Sequence, residues 1–260
     1  MSTPDTSAYP PAALVTGAAR RIGAAIARDL AATGWAVAVH HNTSVDDAEA
    51  TVAAIRDAGG TAAAVAADLA DEDASQTVIA RAAAALDQPI GLLVNNASVF
   101  DWDDVHTAER ASWDRHLEPN LRAPFVLTQR FVDQLPADAP GAVVNLLDAK
   151  VWNLTPGFTS YTVSKAGLWA LTQTLAMELA PRIRVNAIGP GPTLPSARQT
   201  AGDFAEQCAS TPLQHGSSPA EICRALHFIL AAPSLTGQMI ALDGGQHLGW
   251  TQPGGHAPIE

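Results

Sequence analysis

Tyr161 and Lys165 stand four residues apart in Ser160-Tyr-Thr-Val-Ser-Lys165, and Asp148, thirteen positions before the tyrosine, closes the run Val143-Val-Asn-Leu-Leu147. On a helix a four-residue spacing stacks two side chains on one face, so the ammonium sits beside the phenol and favours its ionised form. A phenol whose ordinary pKa is ~10 then becomes a usable proton donor or acceptor nearer neutrality. Asp148 falls where a parallel-sheet enzyme places its groups, at the carboxyl edge of a strand. The three residues together read as an acid-base device. A lone Tyr-x-x-x-Lys is unspecific, so its meaning depends on the elements that position it.

Those elements are read in order along the chain. Ala12 to Thr16 is a short apolar run that stops at Gly17, and Ile22 to Ala32 carries apolar residues at helical spacing, which makes strand, tight turn and helix. In the turn Gly17 permits the bend, Ala18 and Ala19 let a ligand approach the backbone, and Gly23 lets the helix pack on the strand. A helix N-terminus so built attracts a pyrophosphate. Trp35 to His40 is the second strand, and its end, His40-His41-Asn42-Thr43-Ser44, meets the adenosine ribose. No carboxylate stands there to repel a 2′-phosphate, and Arg20 and Arg21 lie in the neighbouring turn, so NADP(H) is expected over NAD.

A helix over 46–58 leads through Gly59-Gly60 to a third strand over 61–66, ending near Asp68 and Leu69. A helix over 71–86 and a strand over 91–95 follow. This alternation demands parallel strands with helices on both faces. After the fourth strand, Asn95-Asn96-Ala97-Ser98-Val99-Phe100 offers small and amide groups to line a cofactor, and Phe100 a flat apolar face for a ligand or for packing. Residues 108–135 read as largely helical, interrupted near Pro119 and Pro124, with Asn120 between. A fifth strand (141–147), the Tyr161 helix to Pro181, a sixth strand (184–188) and a seventh near 238–243 complete the pattern. The fold class expected is α/β, a Rossmann doubly wound seven-stranded parallel sheet in a single domain over 1–260. Residues 1–11 read as a loose arm, 193–216 as a substrate lid of weak periodicity, and 251–260 as an irregular tail.

Composition narrows the partners. The 260 residues hold 26 acidic against 15 basic groups, a net charge of −11, which argues against nucleic acid and anionic membrane surfaces and for a small molecule. Cys208 and Cys223 lack metal-ligand spacing, so no metal is expected. No apolar run approaches the ~20 residues of a membrane span, and the start of the chain does not resemble a signal peptide, so a cytoplasmic protein is expected.

Five motifs in order, Thr16-Gly17-x4-Ile22-Gly23, Asn95-Asn96-Ala97, Tyr161-x3-Lys165, Pro190-Gly191 and Asp243-Gly244-Gly245, resemble the classical short-chain dehydrogenase/reductase pattern. By that resemblance Tyr161 is the proton donor, Lys165 binds the nicotinamide ribose and lowers the phenol pKa, Asn120 holds a proton-relay water, and Asp68 contacts adenine. The family usually carries serine where Asp148 stands. A serine donates to a substrate carbonyl, whereas an ionised carboxylate repels a developing alkoxide and suits a nitrogen heterocycle. That departure, with Thr-Gly-Ala-Ala-Arg-Arg-Ile-Gly, Asn-Asn-Ala-Ser-x-Phe and Asn-Leu-Leu-Asp-Ala, resembles the pteridine reductases and the bacterial dihydromonapterin or dihydrofolate reductases. The subgroup resemblance implies that Phe100 stacks on a pterin and that Arg21 and Ser98 help bind cofactor and pterin. Pro192 and Leu194, at the start of the lid, are placed beside substrate. The subgroup often has an arginine near Asn42 or Thr43 for the 2′-phosphate, and this chain has none.

The reading expected is an NADPH-dependent reductase of a dihydropterin or dihydrofolate C=N bond. The runner-up is a general carbonyl or hydroxyl oxidoreductase, such as a 3-oxoacyl or ketone reductase, in which Asp148 is tolerated. A dinucleotide sensor without chemistry is disfavoured by the retained Tyr161 and Lys165. Family resemblance implies a homotetramer.

Overall fold

The computed structural model describes residues 9–196 and 198–249. Seven strands, β1 Ala12–Val15, β2 Ala36–His41, β3 Ala62–Ala66, β4 Ile90–Asn95, β5 Gly141–Leu146, β6 Ile183–Pro190 and β7 Met239–Leu242, form one sheet. Their order is β3-β2-β1-β4-β5-β6-β7, and every pairing is parallel. The strands carry almost unbroken apolar runs because helices cover both faces. Helices α1 Arg21–Ala32, α2 Val45–Asp57 and α8 Pro219–Ala231 lie on one side, where Ile26, Leu30, Val52 and Leu226 pack on Val15, Val37 and Val144. Helices α3 Glu72–Leu86, α5 Ala123–Gln134 and α6 Thr159–Leu179 cover the other, with Ile79, Phe131 and Leu175 against Leu14, Leu93 and Val143. The direction of the strand order reverses between β1 and β4. In such sheets the crevice at the carboxyl ends beside that reversal is where a ligand binds.

Three local expectations change. The stretch over 108–135 is α4 Arg110–Leu117, a π-helical turn Glu118–Arg122, then α5. Only Pro119 falls at the irregular turn; Pro124 sits in the first turn of α5, where a missing N–H costs nothing. Asn120, in that turn, is fully buried. The stretch over 193–216, expected as a lid, contains a helix, α7 Ala201–Ala209, started by a capping box between Thr200 and Asp203. None of its residues is buried, so no apolar stripe announces it. The arm is not loose at its end: the Tyr9 hydroxyl accepts from Arg184 at 2.6 Å and the ring lies 6.2 Å from that of Trp35. Residues 1–8 and the tail over 251–260 lie outside the described residues. No helix among the described residues is long and apolar enough to cross a membrane.

A buried amide chain ties the strand ends to the long helix. Asn95 Nδ2 donates to Asn145 Oδ1 at 2.8 Å, and Asn145 Nδ2 donates to Thr172 Oγ1 at 2.8 Å. The Thr172 hydroxyl passes on to Leu168 O at 2.7 Å. Thr172→Val keeps the shape but strands the Asn145 amide in the core. It should lower unfolding free energy by about 1–3 kcal/mol, measured by urea titration.

Candidate active site

The β1–α1 turn is held open by a polar clamp. Thr16 Oγ1 accepts from the amides of Asn96 and Ala97, each at 2.9 Å, while Asn96 Nδ2 donates to the carbonyls of Thr16 and Gly17. Gly17 has φ +60°, and a Cβ there would stand 2.9 Å from Ala97 Cα. A Cβ on Gly23 would stand only 2.3 Å from the Gly17 carbonyl, so both positions require glycine. Arg20 precedes α1 without a side-chain cap, leaving the first-turn amides of that helix to a ligand.

A groove of about 630 Å³ runs from this turn over the ends of β2 and β3. Gly17, Arg20, Arg21, Ile22, Gly23 and His40 line it, as do Asn42, Thr43, Ser44, Asp68 and Leu69, and then Asn96, Ala97 and Ser98. His40 is a structural member of that wall. Its Nδ1 accepts from the Gly17 amide at 3.1 Å, which leaves Nε2 to donate to Ala67 O at 3.2 Å. Burial pushes its pKa down to about 4, although the bond to Ala67 opposes this, so the ring is neutral and adds no cation for a phosphate. Arg20 lies 3.9 Å from Asp47 at the surface. Arg115 also lines the groove, and nothing in the spacing of α4 marked it.

Ile22, Asn96, Ser98 and Arg21 are shared with a second cavity of about 280 Å³ over the ends of β5 and β6. It gathers Phe100, Asp148, Tyr161 and Lys165, and on its far side Pro190, Gly191, Pro192 and Leu194. Tyr161 Oη donates to Asp148 Oδ2 at 2.8 Å, and Asp148 Oδ1 accepts from the Lys150 amide at 2.8 Å. Lys165, 3% exposed, donates to Leu146 O at 2.8 Å, with Nζ 5.8 Å from the Tyr161 ring centroid. Burial lowers the Lys165 pKa from 10.5 to about 8, against the upward pull of Asp148.

Arg21 does not reach into either cavity as a loose cation. Its guanidinium donates to the carbonyls of Pro195 at 2.8 Å and Leu194 at 3.3 Å, so it fastens the start of the lid to the cofactor turn. Phe100 is stacked at 4.5 Å on Phe158 and edge-on at 4.6 Å to Tyr161, and Arg198 of the lid lies 4.9 Å from its centroid.

Among the site residues read from the sequence, Asn120 alone lines neither cavity. Its Oδ1 accepts from Val99 N at 2.8 Å, and its Nδ2 donates to Val99 O at 2.9 Å and Ser164 Oγ at 3.1 Å. The side chain braces the Phe100 loop to α6. The sequence reading missed Lys150, Gln199, Gln207 and Gln246, which line the second cavity. Lys150 and Gln246 each closely follow a strand end, which is a usable signal. The two lid glutamines carry none. Among the described residues no group of three or more His, Cys, Asp or Glu is placed to hold a metal.

A parallel sheet with this order, a glycine turn over a groove at the strand reversal and a Tyr-Lys pair beside it define a dinucleotide-dependent oxidoreductase domain. The chain belongs to the short chain dehydrogenase family, whose model matches residues 11–205. It is similar to the structure of FolM alternative dihydrofolate reductase 1 from Brucella canis complexed with NADP, at 48% identity and TM-score 0.91 over 96% of this chain and 98% of that one. The Brucella suis FolM structure, in complex with NADP, is 50% identical with TM-score 0.89, covering 93% and 96%. The 3-oxoacyl-[acyl-carrier-protein] reductase FabG of Staphylococcus epidermidis is 32% identical over 91% of this chain and 98% of its own.

The Lys165 pKa sets the pH behaviour of the site. Below about 8 the ammonium is present, and above it the charge beside Tyr161 is lost, so kcat/KM should be flat on the acid side and fall from about pH 8 upward. Lys165→Met should lower the rate and abolish that limb in a pH-rate profile. The unfolded chain keeps this proton up to about 10.5 while the folded chain releases it near 8, so Lys165 makes folding more favourable as pH rises across that interval.

Proposed function

We propose that the protein is an NADPH-dependent reductase of a dihydropterin or dihydrofolate, acting on a ring C=N bond. The observation that carries this reading is the pair Tyr161 Oη and Asp148 Oδ2 at 2.8 Å, in the place where a ketone reductase needs a hydroxyl donor. An ionised Asp148 only accepts hydrogen bonds, so it suits a substrate that presents N–H groups and opposes one that develops an alkoxide beside it. Similarity to the two FolM structures supports the same assignment.

The residues fit the cofactor. The glycine cradle and the uncapped start of α1 match a pyrophosphate, and the start of α2, preceded by Thr43 and by Ser44 without a side-chain cap bond, offers hydroxyls and amides to a 2′-phosphate. Bound NADPH supplies the hydride. Lys165 would hold the ribose of the bound cofactor and keeps its charge near the phenol, Tyr161 delivers a proton from Oη to the ring nitrogen, and Asp148 orients the ring through its N–H groups. Phe100 offers the ring a wall, and Arg21 with the lid closes the cavity over it. The homotetramer implied by the family remains part of the proposal, and light scattering giving a monomer would contradict it.

The similarity to FabG favours a second reading, a 3-oxoacyl or ketone reductase. A steady-state panel of dihydropterins, dihydrofolate and ketones with NADPH and NADH separates the two. Turnover of the pterins or folate with NADPH is expected, and ketones alone turning over would sink the first reading. Asp148→Ser should abolish most pterin turnover and raise ketone turnover. Tyr161→Phe should reduce kcat by about 100-fold or more while leaving NADPH affinity nearly unchanged.

A further inference from the structure

Behind the Tyr161 turn lies a set of buried polar groups that the proposed chemistry does not use. Asp103, His116 and Ser160 are each 1% exposed or less. The Asp101 amide donates to His116 Nε2 at 3.0 Å. His116 Nδ1 lies 3.0 Å from Ser112 O and 2.7 Å from Ser160 Oγ. Ser160 Oγ is 2.5 Å from Asp103 Oδ2, and the Ser160 amide donates to Asp103 Oδ1 at 3.1 Å.

The directions of these bonds follow from the groups at the ends. An amide N–H only donates, and a carbonyl or ionised carboxylate only accepts, so Nε2 carries the lone pair and Nδ1 the proton. The Ser160 hydroxyl then donates to Asp103. Burial opposes ionisation of Asp103, but the bonds from the Ser160 hydroxyl and amide hold its carboxyl below the usual range. α6 begins after Phe158, which has no side chain able to cap it, and Asp103 takes that role from another loop. Its backbone carbonyl also accepts from Thr159 N at 3.3 Å. One end of the network is therefore Asp101, the neighbour of Phe100, and the other is Ser160, the neighbour of Tyr161. The His116 ring itself lies 6.1 Å from that of Tyr161.

We propose that His116, held as its Nδ1–H tautomer, and Asp103 are positioning residues that lock the Phe100 wall of the substrate cavity to the Tyr161 turn, giving ring binding and proton delivery one register. Neither touches the reacting atoms. The roles of Phe100 and Tyr161 rest on the reductase reading, but the hydrogen-bond pattern does not. His116→Phe keeps a ring of similar size and removes the acceptor for Asp101, whereas His116→Gln returns a carbonyl oxygen toward the Nε2 position.

The test combines ¹⁵N NMR of the full chain without substrate and steady-state kinetics with NADPH titration. His116 is expected as Nδ1–H. His116→Phe should lower kcat by about tenfold or more with NADPH affinity held within about twofold, and His116→Gln should recover most of the loss. An Nε2–H ring in the unmodified protein overturns the proposal. So does a His116→Phe variant that keeps its kcat, loses NADPH affinity in proportion, or is not recovered by glutamine. Should His116→Phe not fold, Ser160→Ala carries the kinetic arm with the same two criteria. If no pterin or folate is turned over, the reductase reading fails by itself, and the tautomer with ketone kinetics still decides this proposal.

Discussion

Burial of the Lys165 ammonium is the constraint on which the site depends. A charge removed from water is costly unless it is bonded, and the structure answers with the Leu146 carbonyl at the end of β5 and the nearby Asp148 carboxylate. To reach both, α6 must lie across the carboxyl edge of the sheet in one rotational setting. That setting also aims Tyr161, one turn earlier, at Asp148. The phenol, the carboxylate and the buried cation are thus placed by one helix against one strand end.

Other features support that setting from a distance. The Asn95-Asn145-Thr172 chain pins α6 to β4 and β5 below the site. Asn120, exposed to no solvent in a π-helical turn, bonds both the Phe100 loop and Ser164 of α6. Irregular helical turns of this kind commonly serve a functional geometry, because the extra residue re-aims a side chain at the expense of regular bonding. Two arginines close the other side: Arg21 holds the lid carbonyls, and Arg198 donates to Phe100 O at 3.0 Å. The cavity is therefore bounded by loops that are each tied to the same helix or to the cofactor turn.

Much of this was legible in the residues. Apolar runs ending at glycine, followed by helical periodicity, specify a parallel sheet with covered faces because no other arrangement buries such strands twice. Tyr161 and Lys165 were legible as a pair because helical spacing is short-range and nearly context-free. His40 was legible as a groove residue but not as a neutral one; its charge state follows from burial, which elements far away in sequence impose. The α7 helix escaped notice because an exposed helix of nine residues has no buried stripe to reveal it.

The sequence by itself determined the fold class, the glycine turn, the Tyr-Lys pair and the presence of a carboxylate at the end of β5, since each rests on local spacing or on residue type. Only the tertiary structure decided what those groups bond to. It made Arg21 a lid fastener, Asn120 a brace and Asp103 a remote helix cap, because hydrogen-bond partners separated by tens of residues are chosen by packing and not by any local pattern. It also set the Tyr161 phenol against Asp148, a contact that no local pattern specifies.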